Sequence, residues 1–372
     1  MDQASFKRRV TALRASLDGI AAGTVWIIQP ENRRYLSGFK AEDTQFTESS
    51  GSLVINDRMA VLLTDSRYTT EAENEASDFE VVTLKKGLAE GFPGVMAKVK
   101  ATSLGFEEEF VTFGLYRDVT EKLKVLSPPV SLVPLNGLVE DLREVKDEGE
   151  IKAMEASAAM MSRILDQVIP WVSPGLTEKE VAWRIEDLAR KSGADRLAFP
   201  AIVASGPNSA LPHAVPTDRK LRQGEPIVLD VGVRLDGYCC DMTRTVFLGE
   251  PTAEFKRIYA IVRKAQLAAL REIHPGVQSD HPDGVARRII AEAGFGDFFG
   301  HGLGHGVGLQ THERPRLSPL KPVRLKEKVV VTVEPGIYLP GKGGVRLEEM
   351  VVVEKGGPRI LTTNRSFYEF SL

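Results

Sequence analysis

The stretch "PIVLDVGVRLDGYCCDMTRTVFLG", residues 226–249, constrains the fold more than any other part of the chain. Two strand-like runs flank Asp236-Gly237, a strong signal for a two-residue hairpin turn. With that pair as the loop, position 232 faces 241, and Asp230 becomes the diagonal, same-face neighbour of Asp241. Asp230 sits inside the run "IVLDVGV", where an unpaired carboxylate is costly. The two acids therefore need a common partner.

The C-terminal stretch "VVVTVEPGIYLPGKGGVRLEEMVVVE" repeats the arrangement around a glycine-rich turn near Gly341. Counting outward from the turn sets Glu334 roughly opposite Glu348 or Glu349. Four converging carboxylates would repel one another and take up protons, whereas two divalent cations would balance their summed charge. Such ions about 3.5–4 Å apart can activate water and polarise a carbonyl between them.

Between these hairpins lies "HGLGHGVGLQTH", residues 301–312, with half of the chain's 6 histidines. Gly302, Gly304, Gly306 and Gly308 share one parity and His301, His305 and Leu303 the other, which is the period of an extended chain with one bare face. Four extended residues separate His301 from His305 by roughly 13 Å, so one ion cannot take both. Adding His305 to the acids gives an oxygen-rich set with one imidazole. That set suits Mn²⁺ or Co²⁺ better than a thiolate-selected zinc, with Zn²⁺ a further possibility.

Elsewhere the chain excludes more than it proposes. With 48 Lys and Arg against 51 Asp and Glu there is no basic excess for nucleic acid or an anionic membrane. The N-terminal stretch lacks an apolar signal-like core and no apolar run reaches the ~18 residues of a spanning helix, so a cytoplasmic protein is expected. Cys239 and Cys240 are adjacent, which precludes a disulfide between distant segments and fits a reducing compartment. No dinucleotide or P-loop glycine pattern is present.

At 372 residues two domains are expected. "TVWIIQ" reads as a strand, "NRRYLSGF" as a strand-loop unit, "SLVINDRMAVLLT" as a hairpin and "DSRYTTEAENEA" as helical. These make a small α/β domain over 1–135, closed by the proline-rich "SPPVSLVPLNG". A second domain, 136–372, opens on a long amphipathic helix. A further helix follows at "TEKEVAWRIEDLARKSG", with Thr177 as N-cap, Glu180 completing a capping box and Gly193 past its end.

Asp230, Asp241, His305, Glu334 and Glu348, in that order and in the contexts "LDVG", "CDMTRT", "HGLGHGVG", "VEPGIY" and "GVRLEE", resemble the five ligands of the dinuclear metallopeptidases with the pita-bread fold. Within that family the chain is most similar to the Xaa-Pro branch, aminopeptidase P and prolidase. The resemblance implies an α/β (α+β) chain with a creatinase-like N-terminal domain and a pita-bread catalytic domain. It implies that Asp230 chelates one ion, His305 binds the other, Asp241 and Glu348 bridge them, and Glu334 is a terminal ligand that handles the proton of the reacting water. It selects Glu348 over Glu349. His213 and His312 match the pair that steadies the developing oxyanion, His301 lines the substrate site, and Tyr338 and Arg346 match a supporting pair behind the ligands.

The resemblance further implies peptide substrates with proline in second position, two divalent ions with manganese first, and a homodimer. The leading reading is an Xaa-Pro aminopeptidase, and the alternative is a dipeptide-restricted prolidase. No residue visibly blocks the channel beyond proline, which favours the aminopeptidase, yet Arg314 and Arg316 in "THERPRL" offer a carboxylate clamp. Asn32 stands where many aminopeptidases P carry an acid, which leaves that choice open. Methionine aminopeptidase is disfavoured by the preceding α/β domain. Retention of all five ligands argues against a metal-free creatinase-like hydrolase and against a binding protein on the same scaffold.

Overall fold

The computed structural model describes residues 3–43, 45 and 48–371. The chain divides into two compact units, Met1–Arg143 and Glu144–Leu372.

The first unit is built on a six-stranded sheet. Its strands run in the order Glu80–Thr83, Ala60–Thr64, Ser52–Asn56, Thr24–Ile27, Ser103–Glu107, Ser131–Leu135, and only Ser52–Asn56 runs antiparallel to its neighbours. One sheet face buries Trp26, Val54 and Leu63 under Phe92, Val95 and Met96 of helix Leu88–Val99 and under Val119 and Leu123 of helix Phe113–Leu123. Pro134 lies in the edge strand Ser131–Leu135, where a missing N–H is tolerated.

"NRRYLSGF" departs from its expected strand-loop form and is helical over Pro30–Ser37. Pro30 fits the first turn, the Gln29 side chain caps Asn32 N, and Gly38 ends the helix at φ 81°. What disguised the helix is that polar Asn32, Arg33 and Ser37 are buried beside Tyr35 and Leu36, which breaks the apolar period. Arg33 is buried and donates to the carbonyls of Ala41 and Gly51. Asn32 is buried too, donating to Glu107 and Glu140 and accepting from Arg143. An acid at 32 would meet two carboxylates, so Asn32 serves the interior of this unit.

In the second unit, helix Glu148–Trp171 starts on a complete Asp147/Glu150 capping box and helix Glu178–Lys191 on the Thr177/Glu180 box. Helices Ala253–Arg271 and Asp280–Glu292 bury Ile258, Val262, Ala286 and Ile290 against Val331, Val333 and Val351 of a five-stranded sheet. Among the described residues no helix is long and apolar enough to cross a membrane.

Both acid-bearing hairpins have the register read from their turns. Asp236 and Gly237 take positive φ, as a type I′ turn needs. Leu235 opposes Tyr238 on one side of a short break, and Met242 opposes Val231 on the other, which leaves Gly232 level with Asp241. In the second hairpin Gly336 opposes Arg346, and Val333 opposes Glu349 beyond a similar break, so Glu334 is level with Glu348. Each ladder opens where an acid must leave the sheet plane. At the first break a Cβ on Gly232 would collide with the Cys240 carbonyl oxygen.

The glycine face of residues 302–308 is covered by backbone and by one carboxylate. A side chain at Gly304 would strike the Thr332 carbonyl, one at Gly306 the Arg314 carbonyl, and one at Gly308 the Glu313 carboxylate. Close approach on that face turns the opposite face, with His305, inward.

Candidate metal centre and active site

Asp241, His305 and Glu348 each offer a ligand atom, all within 4.8 Å of one another, and all three residues are buried. His305 Nε2 also lies 3.3 Å from Glu334 Oε1 and 3.7 Å from Asp241 Oδ2. Its Nδ1 is 3.0 Å from the Gly306 carbonyl. Donating Nδ1–H there turns Nε2 toward the carboxylates, where it reaches Glu334 as an N–H in the metal-free site and would offer its lone pair to a bound ion.

Asp230 takes part from the other side. Arg346 Nη2 donates to its Oδ2 at 2.6 Å, while Oδ1 is buried without a hydrogen-bond partner. An orphaned buried carboxylate oxygen beside two further acids is a poor design for an empty pocket and a good one for a cation. Burial and the charges of Glu348, Asp230 and Glu334 push the Asp241 carboxyl well above the usual range. Burial, with Glu334 and Asp230, does the same to Glu348. Glu334 goes the other way. Burial alone would raise it, but the hydrogen bond and charge of His305 outweigh that and bring it to about 2. The residues present therefore fit divalent ions.

Two threonines that sequence reasoning did not single out hold these acids. Thr243 Oγ1 donates to Glu348 Oε2 at 2.7 Å and accepts from Arg346 Nε. Thr332 Oγ1 donates to Glu334 Oε1 at 3.2 Å and accepts from His305 N. Each stands two positions from an acid, Thr243 after Asp241 and Thr332 before Glu334. The strand period that paired the acids was therefore the available signal.

Behind the acids runs a hydrogen-bonded chain. Arg346 Nη1 donates to the Tyr338 hydroxyl at 2.9 Å, and that oxygen lies 2.8 Å from His301 Nε2. His301 Nδ1 meets the Gly302 carbonyl, so Nε2 is the acceptor for the Tyr338 O–H. Burial lowers the His301 pKa, keeping the ring neutral. Asp283 and Arg287 anchor this segment: Asp283 accepts from Leu303 N, and Arg287 donates to the carbonyls of Phe299 and His301.

His312 stacks edge-on to His305, with ring centres 4.2 Å apart. Crowding by protein atoms and the adjacent His305 push it down to about 4. His213 is exposed. Arg314 and Arg316 are exposed as well, and Arg316 directly opposes His305 across the strand pair. His274 and His281 lie outside this constellation, His281 pairing with Glu272 at the surface. Cys239 and Cys240 are buried free thiols, both raised by burial.

The description "Metallopeptidase family M24" matches residues 152–355 and "Creatinase/Prolidase N-terminal domain" matches residues 9–145. An Xaa-Pro dipeptidase from Pyrococcus furiosus is 34% identical over 356 residues, covering 96% of this chain and 98% of that protein. The structure of an Xaa-Pro dipeptidase from Bacillus anthracis superposes with a TM-score of 0.91 at 34% identity, over 98% of this chain and 99% of that one. An X-Pro aminopeptidase from Thermotoga maritima gives 0.84 at 38% identity, over 94% and 97%. The chain therefore belongs to metallopeptidase family M24, with a creatinase/prolidase-type domain preceding a pita-bread catalytic domain.

Proposed function

We propose that the chain hydrolyses the peptide bond preceding proline, with the Xaa-Pro dipeptide as its preferred substrate. The observation that carries this reading is the buried convergence of Asp241, His305 and Glu348, with Glu334 on His305 and the orphaned Asp230 oxygen alongside. The preference for a dipeptide moves the balance away from the aminopeptidase that the sequence favoured. Dipeptidases from Pyrococcus furiosus and Bacillus anthracis support it across nearly the whole chain, while the Thermotoga maritima aminopeptidase keeps the other reading open.

Asp230, Asp241, His305, Glu334 and Glu348 would together hold two divalent ions, manganese first. When bound, such ions polarise the scissile carbonyl and make water acidic near neutral pH. The chain's own groups do the rest. Glu334, held ionised, accepts the proton of the attacking water and delivers it to the departing proline nitrogen. That nitrogen has no N–H and must gain a proton to leave. Neutral His312, together with His213, donates to the carbonyl oxygen as negative charge develops there. The Arg346–Tyr338–His301 chain fixes the imidazole that lines the substrate side. A reducing cytoplasmic setting and a homodimer fit this reading.

Arg316 is the favoured clamp for the free carboxylate of the dipeptide. Directly opposed residues in an antiparallel pair present side chains on the same face, so Arg316 shares the face of His305. Its charge also reaches His312. We expect higher kcat/KM for Xaa-Pro than for Xaa-Pro-Yaa with the same first residue. Arg316→Ala should lower the dipeptide value about 10- to 100-fold, the range of one charged hydrogen bond, and Arg314→Ala should change it less. Efficient tripeptide cleavage that neither substitution affects would return the aminopeptidase reading.

A further inference from the structure

His213 stands on a loop whose two ends meet on one buried carboxylate. Glu178 opens helix Glu178–Lys191 and is fully buried. Its Oε1 accepts from Ser205 N and from Ser205 Oγ, each at 2.7 Å. Its Oε2 accepts from Thr217 N at 3.0 Å and from Thr217 Oγ1 at 2.6 Å. Asn208 Nδ2 lies 3.2 Å from one oxygen and 3.0 Å from the other. Ser205 ends strand Ile202–Ser205, and Thr217 lies four residues beyond His213. The first half of the loop is also seated by Ser209 Oγ, which accepts from Gly344 N. On either side of His213, Leu211 and Val215 are 58% and 77% exposed.

All of these Glu178 partners are N–H or O–H donors, so both carboxylate oxygens are needed as acceptors. At the tip only Ala214 is buried, while Leu211, His213 and Val215 are exposed, which leaves the placement of the ring largely to the ends of the loop.

We propose that Glu178 is a positioning residue that sets the reach of His213 toward the substrate carbonyl without touching substrate itself. This rests on the oxyanion role given to His213 above. The function of the latch is geometric: a ring held a fraction of an ångström out of line loses transition-state contact while binding of the rest of the substrate is preserved.

The test is a double-mutant cycle on the metal-loaded protein, with amide hydrogen exchange as a second readout. Glu178→Gln turns an NH₂ group onto donors and releases one end of the loop. We expect kcat to fall on the order of 10-fold with KM and metal content little changed. Exchange of the 211–217 amides should quicken while the ligand-bearing strands stay protected. His213→Ala alone should lower kcat on the order of 10²-fold, and Glu178→Gln added to it should cost nothing more. Equal losses in both backgrounds, or unchanged exchange in 211–217, overturn the latch and leave the role of His213 standing. Normal kcat in His213→Ala overturns that role and the latch with it. Should Glu178→Gln fail to fold, Thr217→Val removes the 2.6 Å bond to Oε2, along with the longer bonds that Thr217 Oγ1 accepts from Asn208 Nδ2 and Arg219 N, and leaves Glu178 itself in place. It should give a smaller loss in kcat that likewise vanishes in the His213→Ala background; a loss that persists there overturns the latch.

Discussion

Removing divalent ions should abolish hydrolysis, and adding Mn²⁺ should restore it. Bound ions lower the pKa of water by several powers of ten, which lets a carboxylate as weakly basic as Glu334 take its proton near neutral pH. The metal-free site should also show itself without substrate. Burial and mutual repulsion raise the Asp241 and Glu348 carboxyls, so the folded metal-free chain holds protons that the unfolded chain has already released. The contribution of these two carboxyls to stability is therefore fullest at low pH and falls as pH rises through their raised folded-state values, so it shows as the difference in melting between the chain and its Asp241→Asn or Glu348→Gln variants. Metal binding displaces those protons, so affinity should rise with pH and binding should release protons. Melting of the chelated protein across pH tests the first statement. Calorimetric titration with Mn²⁺ in two buffers of different ionisation enthalpy tests the second. Asp241→Asn or Glu348→Gln should lose bound metal together with rate. Full turnover in protein shown to be metal-free would falsify the dinuclear reading.

The pairing of the acids was legible because turn chemistry fixes register, and register fixes which side chains share a face. Asp236-Gly237 and the glycines around 341 are short, strong local signals, and the ladders kept their count even across the breaks at Asp241 and Glu334. The breaks themselves were not legible. They arise from tertiary demand, in that an acid must swing toward ions while the strand on each side stays in its sheet. Helix Pro30–Ser37 escaped for a related reason. Its buried face carries Asn32 and Arg33, whose partners lie far away in the sequence, at Glu107, Glu140, Ala41 and Gly51. Apolar periodicity reports only burial that hydrophobicity drives. Thr243, Thr332 and Glu178 share that invisibility, since each is buried by hydrogen bonding and holds a functional side chain through atoms that composition and periodicity do not register.

Arg346→Met should separate charge balance from packing in the site. Burial opposes the guanidinium charge, but Tyr338, Asp230 and Glu334 outweigh it and raise its pKa well above the ordinary value. The side chain makes 2.6 Å, 2.9 Å and 3.2 Å bonds to Asp230, Tyr338 and Thr243. A methionine fills similar volume and leaves all three without that partner. In the metal-free protein the loss should be about 3–5 kcal/mol, the cost of stranding one half of a buried ion pair. For a domain of this size that is a drop in Tm on the order of 10 °C. With Mn²⁺ bound the drop should shrink, because Asp230 then faces cationic charge from the ions. Turnover should not recover with the metal, since Tyr338 loses the donor that orients its hydroxyl toward His301. Arg346→Lys sharpens the comparison: it restores a charge beside Asp230 but cannot fork to Tyr338 and Thr243 at once. We therefore expect Lys to regain much of the metal-free stability and little of kcat. An equal loss of Tm with and without Mn²⁺ would mean that Arg346 acts by packing alone. Full activity in the Lys variant would remove the hydrogen-bonded chain through Tyr338 to His301 from the mechanism.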